Sequence, residues 1–256
     1  MSRITNTFKQ LKNTGRKALI PYIMSGDPSL SATKKYVFEL ENAGADIIEL
    51  GVPFSDPLAD GPTIQRASER SLKHGTTLKK VLAMVQEIRK KTDIPLILMT
   101  YYNPVFRFGI DRFIKAAVTA GVDGVIIPDL IPDEAGQFIE ISRRHGLETV
   151  FLLAPTSTRE RIKKVARASS GFIYYVSITG ITGAKLSLGE YMESTLSSLK
   201  SVTRKPVAVG FGISNPGEAR MVSRLADGVI IGSAIVKLID QRKSITPFVK
   251  SIRKVI

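Results

Sequence analysis

Apolar runs of strand length alternate with amphipathic helical segments along almost the whole chain. Runs that are apolar at nearly every position are typical of strands buried on both faces, which are parallel and joined by helices. Eight such βα units in 256 residues predict an α/β fold, a closed (β/α)8 TIM barrel formed by a single domain over residues 1–256. The segment before Ala18 belongs to none of these units and is predicted to form an extra N-terminal helix across the lower mouth of the barrel. The predicted strands are 18–24, 46–50, 95–100, 124–128, 149–154, 172–177, 206–210 and 228–232.

A doubly wound open sheet is the structural alternative, because it also alternates strands and helices. Such a sheet would carry a glycine-rich loop after its first strand and an acidic residue about 20 positions further on. The segment GDPS at 26–29 does not have that pattern. The barrel is therefore favoured, and it places catalytic groups at the C-terminal ends of the strands and in the loops that follow them.

Composition excludes several classes of protein. With no cysteine, the chain has no thiolate nucleophile, no disulfide and no cysteine zinc site. The N-terminus has no apolar signal-peptide core, and no apolar run approaches the ~20 residues that span a bilayer, so we expect a cytoplasmic protein without a membrane contact. The net charge of +14 is assigned to solvated helix ends such as 88–93 and 142–146. Because stacking aromatics do not accompany these cations, no specific nucleic-acid binding is expected.

Glu49 lies near the end of the second predicted strand. Period-two alternation places it on the same face as Ile47, whereas Ile48 and Leu50 face the helices. That face is the barrel interior, where burial disfavours the ionised carboxylate and raises its pKa toward the range useful for proton transfer. A structural glutamate in a salt bridge is the alternative, but no basic residue ends a neighbouring predicted strand.

The loop after this strand, GVPFSDPLADGPTIQ at 51–65, contains Asp56 and Asp60. Its proline, aspartate and glycine residues are typical of fixed turns. Either aspartate could cap the helix that begins near Pro62 and Thr63, and spacing alone does not choose between them.

Three consecutive predicted strands end in glycine-rich segments, SITGITGAK, VGFGIS and IGSAIV. Glycines let backbone N–H groups approach an oxyanion, and the loops after strands seven and eight are the usual phosphate site of such barrels. We therefore expect a phosphorylated ligand.

Missing residue types narrow the reaction class. No predicted strand contains a lysine for Schiff-base chemistry, since Lys185 and Lys205 lie in connections. The two histidines, His74 and His145, fall at predicted helix ends, so no metal site is expected. Acid–base chemistry by carboxylates on a phosphorylated substrate remains.

Six segments of the chain also occur in one known family. They are ALIPYIMSGDP, ADIIELGVPFSDPLADGPTIQ, YYNPV, GVIIPDL, ITGITGA and VGFGIS. In residues and in order they resemble the tryptophan synthase alpha chain family, over essentially the whole sequence.

The resemblance implies a lyase of tryptophan biosynthesis that cleaves indole-3-glycerol phosphate to indole and glyceraldehyde 3-phosphate. Glu49 would be the general acid–base that protonates indole C3 and helps to remove the proton of the glycerol hydroxyl. Asp60, rather than Asp56, would bind the indole N–H, and Thr182 would order on loop closure and position Asp60. The implied indole pocket is Tyr22, Met99, Tyr101, Ile126, Tyr174 and Phe211. The implied phosphate site is Gly183, Gly212, Gly232 and Ser233.

The chain departs mildly from the family pattern. Tyr22 stands where many members have phenylalanine, and Met99 where many have leucine. Adjacent Tyr174 and Tyr175 leave open which of the two faces the substrate. The positive charge is also less usual for the family.

The resemblance further implies a partner, the tryptophan synthase beta chain, in an alpha2beta2 heterotetramer. Pyridoxal phosphate would belong to that partner, which joins indole to serine, and no cofactor is expected in this chain. The segment YYNPVFRFG at 101–109 and the loop after Asp56 are the expected contact region. A stand-alone lyase that releases free indole and a catalytically silent binding barrel remain as alternatives. The intact Glu49 and Asp60 argue against the silent barrel.

Overall fold

The computed structural model describes residues 2–176, 185–210 and 212–256, without the side chains of 185–191. Within these residues, eight strands form a closed barrel in the order β1 to β8, and every neighbouring pair is parallel. The predicted (β/α)8 barrel is confirmed. The strands are β1 (Ala18–Met24), β2 (Ile48–Gly51), β3 (Leu96–Met99), β4 (Gly124–Ile126), β5 (Glu148–Leu153), β6 (Ile173–Val176), β7 (Val207–Gly210) and β8 (Gly228–Ile231).

Helices surround the barrel and connect successive strands. Several of them begin at a side chain that caps the first turn, for example Ser29, Thr77, Thr158 and Asn215, whose oxygens accept backbone N–H groups. The helices are α1 (Arg3–Asn13), α2 (Leu30–Asn42), α3 (Pro62–Lys73), α4 (Leu78–Arg89), α5 (Tyr102–Phe108), α6 (Ile110–Ala120), α7 (Gly136–His145), α8 (Arg159–Ala168), α9 (Lys185–Val202), α10 (Pro216–Ser223), α11 (Ser233–Asp240) and α12 (Thr246–Arg253). None of the helices in the described ranges has the length and apolar character needed to cross a membrane.

Alternate residues of each strand fill two separate cores. On β2, Ile48 and Leu50 pack outward against the helices. Ile47, just before the strand, belongs to the inner core, together with Tyr22, Ile97 and Tyr174. Because neighbouring strands are in register, Tyr22 and Glu49 are direct partners across β1 and β2. The alternation predicted for Glu49 is therefore present in the barrel.

Helix α1 closes the lower mouth of the barrel, as predicted from the leftover N-terminal segment. Its buried face consists of Ile4, Phe8 and Leu11, and the Phe8 ring lies 5.6 Å from the Phe172 ring between centroids. Arg3 forms salt bridges of 3.1 Å with Asp93 and Asp123, which precede β3 and β4. These contacts hold the helix at the N-terminal ends of the strands, opposite the mouth where a barrel carries its active site.

Several predicted strand bounds were wrong by one or two residues. The strand predicted at 46–50 begins at Ile48, because the Leu19 N–H donates at 2.8 Å to the Asp46 carboxylate instead of to a backbone carbonyl of the strand. The strand predicted at 124–128 ends at Ile126, two residues before Pro128, which has no N–H to donate to a ladder.

Candidate active site

A cavity of about 520 Å³ opens at the C-terminal mouth of the barrel. This volume lies within the range typical of small-molecule sites. Strand ends, the loop after β2, the loop after β7 and the first turns of α3 and α11 form its wall. The lining residues are Tyr22, Glu49, Asp60, Gly61, Pro62, Thr63, Ile64, Met99, Tyr174, Val176, Gly212, Ile213, Ile230, Gly232 and Ser233.

Glu49 lies at the floor of this cavity with a fully buried side chain. Neither of its carboxylate oxygens has a hydrogen-bond partner among the described residues. Burial without a compensating cation raises the pKa of Glu49 from 4.5 to about 8. At neutral pH the group is therefore mostly a protonated acid, able to donate a proton and to take one back.

Asp60 is half-buried in the loop after β2 and faces the same cavity. Burial raises the pKa of its carboxyl from 3.8 to about 6, against the opposing effect of a hydrogen bond from the Tyr101 hydroxyl. Tyr101 also accepts the Ala59 N–H at 3.0 Å, and its ring stacks on Phe54 at 5.3 Å between centroids. These contacts fix the loop so that Asp60 points inward as an ionised carboxylate at neutral pH.

The structure separates the two aspartates of this loop. Asp56 is exposed and accepts a hydrogen bond from the neighbouring Ser55 hydroxyl at 2.5 Å. Neither aspartate caps the following helix, because Gly61 is the N-cap of α3 and no side chain bonds to its first turn. The capping role considered for Asp56 and Asp60 was therefore wrong, because the N-cap position is taken by Gly61, which has no side chain, and its carbonyl accepts the Ile64 N–H at 3.0 Å.

Two tyrosine side chains lean across the floor of the cavity. Tyr22 and Tyr174 are both buried, and each hydroxyl lies over a glycine of the next strand, Gly51 and Gly210 respectively. A Cβ at Gly51 would lie 2.1 Å from the Tyr22 hydroxyl, and one at Gly210 would lie 2.3 Å from the Tyr174 hydroxyl. Tyr175 instead packs in the outer core, so Tyr174 is the member of the pair that faces the cavity.

Backbone groups form the side of the cavity near β7 and β8. Gly212 has a φ of +80°, which glycine adopts without strain, and Gly232 and Ser233 stand at the start of α11. The first N–H groups of a helix have no partner within the helix and favour an anion. Among the described lining residues there is no lysine or arginine, so an anion here would be held by N–H groups and the Ser233 hydroxyl.

An ion-pair network supports this mouth from the side. Asp27, buried after β1, accepts two hydrogen bonds from Arg70 of α3, from Nε at 2.9 Å and from Nη2 at 2.8 Å. The third guanidinium nitrogen of Arg70 contacts Asp240, at the end of α11, at 2.9 Å. The network therefore ties together the two helices whose first turns line the cavity.

The remaining residues predicted from sequence fall into three groups. Met99 lines the cavity. Tyr101 is not a lining residue but forms a hydrogen bond with Asp60, which is one. Ile126 is buried in the inner core and does not reach the cavity. Thr182, Gly183 and Phe211 lie outside the described residues. Sequence reasoning missed lining residues on α3 and at strand ends. Period-two alternation places Ile230 on the same face of the strand as Gly228 and Gly232, so it could have been identified. Ile64 could have been identified because it lies in the first turn of the helix that follows Asp60. The missed residues are Gly61, Pro62, Thr63, Ile64, Val176, Ile213 and Ile230.

The part of the chain that the structure describes contains no group of three or more His, Asp or Glu side chains arranged to hold a metal ion. The chemistry open to the described site is proton transfer by two carboxylates of different pKa. Groups whose environments separate their pKa values in this way are characteristic of paired acid–base residues. The fold and the site together define a (β/α)8-barrel enzyme of the acid–base class.

Comparisons with known proteins narrow this class. The family model described as tryptophan synthase alpha chain matches residues 8–253. The tryptophan synthase alpha chain of Geotalea daltonii is 55% identical over 241 residues, covering 94% of this chain and 91% of the relative. That of Geobacter sulfurreducens is 50% identical and covers 100% of this chain and 99% of its own. The crystal structure of tryptophan synthase subunit alpha from Legionella pneumophila superposes with a TM-score of 0.91 at 38% identity, covering 100% and 98% of the two chains. This chain belongs to the tryptophan synthase alpha chain family.

Proposed function

We propose that this chain cleaves indole-3-glycerol phosphate to indole and glyceraldehyde 3-phosphate, as a carbon–carbon lyase of tryptophan biosynthesis. The observation that carries the proposal is the pair of carboxylates in one cavity, with the pKa of Glu49 raised to about 8 and that of Asp60 to about 6. At neutral pH one group is an acid and the other an anion. The retro-aldol reaction needs both.

The two carboxylates divide the reaction between them. Protonated Glu49 donates its proton to C3 of the indole ring, and the positive charge that results on the indolenine is stabilised by ionised Asp60 at the ring N–H. Glu49, now a carboxylate, then removes the proton from the glycerol hydroxyl. The O–H electrons form the carbonyl of glyceraldehyde 3-phosphate, and the pair of the broken C–C bond returns to the ring and neutralises the indolenine. Glu49 is again protonated at the end, and both groups act on charge that develops in the transition state.

The shape and polarity of the cavity support this substrate. Gly212, Gly232 and Ser233 suit the phosphate, with N–H groups at the start of α11. Ile64, Met99 and Ile230 present apolar surface for a ring. Phe211 as part of the ring pocket, Gly183 in the phosphate site and Thr182 as a closing residue remain proposals from the family resemblance.

Steady-state cleavage of indole-3-glycerol phosphate tests the proposal. Glu49→Gln keeps the shape of the side chain but cannot exchange a proton, and we expect a loss of about 10²–10⁴-fold in kcat. Asp60→Asn, which cannot stabilise the indolenine charge, should also abolish turnover. Asp56→Asn is the matched control, because it changes an exposed aspartate of the same loop, and it should stay within about threefold of wild type. A Glu49→Gln enzyme within tenfold of wild type would contradict the assignment.

We further propose that the chain works with a tryptophan synthase beta chain, in an alpha2beta2 heterotetramer whose pyridoxal phosphate belongs to the partner. Three apolar side chains support a partner surface. Leu58 is 92% exposed, Phe106 64% and Ile131 38%, and they follow the neighbouring strands β2, β3 and β4. Exposed apolar groups from adjacent βα connections at one rim are typical of a protein interface.

Binding to the partner can be tested separately from catalysis. Leu58→Asp and Phe106→Asp should each weaken binding to a cognate beta chain by tenfold or more, measured by calorimetric titration, because they place a charge in the interface. Met221→Asp is the control. It replaces another exposed apolar residue, 51% exposed on α10, and should leave the affinity unchanged. If wild type alone cleaves the substrate as fast as the complex does, a stand-alone lyase replaces the subunit proposal.

A further inference from the structure

The Tyr22 hydroxyl lies close to the two proposed catalytic carboxylates. Tyr22 on β1 is the register partner of Glu49 on β2, so the two side chains enter the barrel next to each other. The hydroxyl lies over Gly51, where an added Cβ would be only 2.1 Å away. Gly51 is two residues beyond Glu49 toward the C-terminal end of the strand. The hydroxyl therefore stands one residue layer above the Glu49 carboxylate, on the side from which a substrate enters.

The other end of the Tyr22 side chain lies at the proposed phosphate site. A Cβ at Gly232, the N-cap of α11, would lie 3.5 Å from both Cβ and Cδ1 of Tyr22. The ring therefore bridges the mouth of the barrel from β8 to β2. A glycerol phosphate tail has a length comparable to that of a tyrosine side chain. With its phosphate at Gly232 and Ser233, such a tail would run along the ring, and its far carbon would reach the Tyr22 hydroxyl beside Glu49.

The surroundings of Tyr22 keep it a neutral hydrogen-bond donor. Burial raises the pKa of the phenol well above 10, and the nearby Asp60 and Glu49 raise it further. Tyr174 packs over Gly210 in the same way and is also near Glu49 and Asp60, but its register partner on the next strand is Ala208 rather than a carboxylate. Of these two phenols, only Tyr22 has a carboxylate as its register partner.

The Tyr22 hydroxyl, in the wall of the cavity, needs a hydrogen-bond partner once a ligand has displaced water, because an unpaired buried hydroxyl carries a desolvation cost. In the proposed complex the indole N–H is bound by Asp60, and the phosphate lies at α11. The polar atoms of the substrate that remain are the two glycerol hydroxyls.

We propose that Tyr22 is a further catalytic residue: its hydroxyl donates a hydrogen bond to the glycerol oxygen from which Glu49 removes the proton. As the O–H bond breaks, its proton passes to Glu49, and the Tyr22 donor stabilises the negative charge on the oxygen until the carbonyl forms. Tyr22 itself neither gains nor loses a proton. In the reverse direction the same donor polarises the aldehyde of glyceraldehyde 3-phosphate. This inference rests on the proposed lyase function.

Tyr22→Phe is the direct test, because it keeps the ring and removes only the hydroxyl. We expect KM for indole-3-glycerol phosphate to rise about 3- to 10-fold, the effect of one hydrogen bond in the ground state, and kcat to fall further, about 10- to 100-fold, since the bond strengthens as charge develops in the transition state. Gly51→Ala, whose Cβ would take the place of the hydroxyl, should lower kcat similarly. Tyr36→Phe, at a half-buried tyrosine of α2 that packs against the outer core and does not line the cavity, is the matched control and should behave as wild type.

A binding experiment that does not require turnover separates this inference from the proposed function. In the Glu49→Gln background, Tyr22→Phe should raise the Kd of indole-3-glycerol phosphate about 3- to 10-fold, the effect of one hydrogen bond. It should change the Kd of 3-(indol-3-yl)propyl phosphate, which lacks both hydroxyls, less than twofold.

The outcomes distinguish the two claims. If wild type cleaves the substrate and Tyr22→Phe has wild-type kcat, the Tyr22 role is wrong while the lyase function stands. If wild type does not cleave the substrate, the lyase function is wrong, and the binding experiment decides on Tyr22. A hydroxyl-dependent difference in Kd then supports its role in recognising the ligand, and an equal effect on both ligands refutes it.

Discussion

The buried Glu49 carboxyl should make the stability of the protein depend on pH. In the unfolded chain the pKa of this group is 4.5, and burial in the folded protein raises it to about 8. The folded state therefore holds a proton that the unfolded state has lost throughout the pH range between these two values. Glu49→Gln removes this titration while keeping nearly the same side-chain volume.

The sign and the size follow from proton linkage. Where the folded state binds more protons, the free energy of unfolding falls as pH rises. The contribution of Glu49 is fully present below pH 4.5 and is lost progressively as pH rises to about 8. One pKa unit corresponds to about 1.4 kcal/mol, so between pH 5 and pH 8.5 wild type should lose about 4 kcal/mol relative to Glu49→Gln. This is a large fraction of the 5–15 kcal/mol that typically stabilises a folded protein.

The assay is urea unfolding monitored by far-UV circular dichroism, with wild type and variant measured side by side at each pH. The quantity of interest is the difference between the two proteins, because other titrating groups contribute equally to both. Glu134→Gln, an exposed glutamate, is the control, and its difference from wild type should stay flat within about 0.5 kcal/mol. A flat difference for Glu49→Gln over the same range would refute the argument that Glu49 is buried without a compensating charge.

Three further predictions concern the pH profile of the reaction, the buried ion pair of Asp27 and the packing of α1. The pH profile of kcat/KM should be bell-shaped, falling below about pH 6 as Asp60 is protonated and above about pH 8 as Glu49 ionises. A profile that is flat from pH 5 to 9 would contradict the proposed division of roles. Arg70→Met leaves the buried Asp27 without its cation and should lower the free energy of unfolding, measured in urea, by about 3–5 kcal/mol. Asp240→Asn removes the half-exposed ion pair of the same arginine and should lower it by less than about 1 kcal/mol. Phe8→Ala removes the packing of α1 against Phe172 and should lower the free energy of unfolding by about 3–5 kcal/mol in the same assay, with kcat unchanged. A loss of kcat would contradict a role for α1 at the lower mouth alone.

The barrel could be predicted from the sequence because a single physical pattern repeats eight times. Strands buried on both faces must be apolar throughout, and amphipathic helices must cover the outer face, so the alternation of the two is visible without any contact map. The interior position of Glu49 followed from period-two alternation alone. Strand ends were less certain, because local side chains such as Asp46 compete with the ladder, and that competition depends on neighbours distant in sequence.

Composition and spacing could not show which of Asp56 and Asp60 acts in the site. Both aspartates lie in one loop, and what separates them is a contact with Tyr101, which follows β3 rather than β2. The Tyr101 hydroxyl accepts the Ala59 N–H and thereby turns the next residue toward the cavity. Such long-range contacts are set by tertiary packing, which a linear pattern does not encode. The family resemblance supplied the choice of Asp60, and the structure supplies its physical reason.

The instability expected from Glu49 and its proposed catalytic role have the same cause. A basic residue beside Glu49 would lower its pKa and stabilise the ionised form, but it would also leave the carboxyl without a proton to donate at neutral pH. An apolar residue would pack well at the same place and do no chemistry. The described surroundings offer neither a cation nor a hydrogen-bond donor to the carboxylate oxygens, which keeps the proton on Glu49 until a substrate arrives. Tyr22, one layer above, is placed so that its hydroxyl can act on the substrate without lowering the pKa of Glu49 in the ligand-free protein. A Tyr22→Phe variant should therefore keep the upper limb of its pH profile near 8 while its kcat falls.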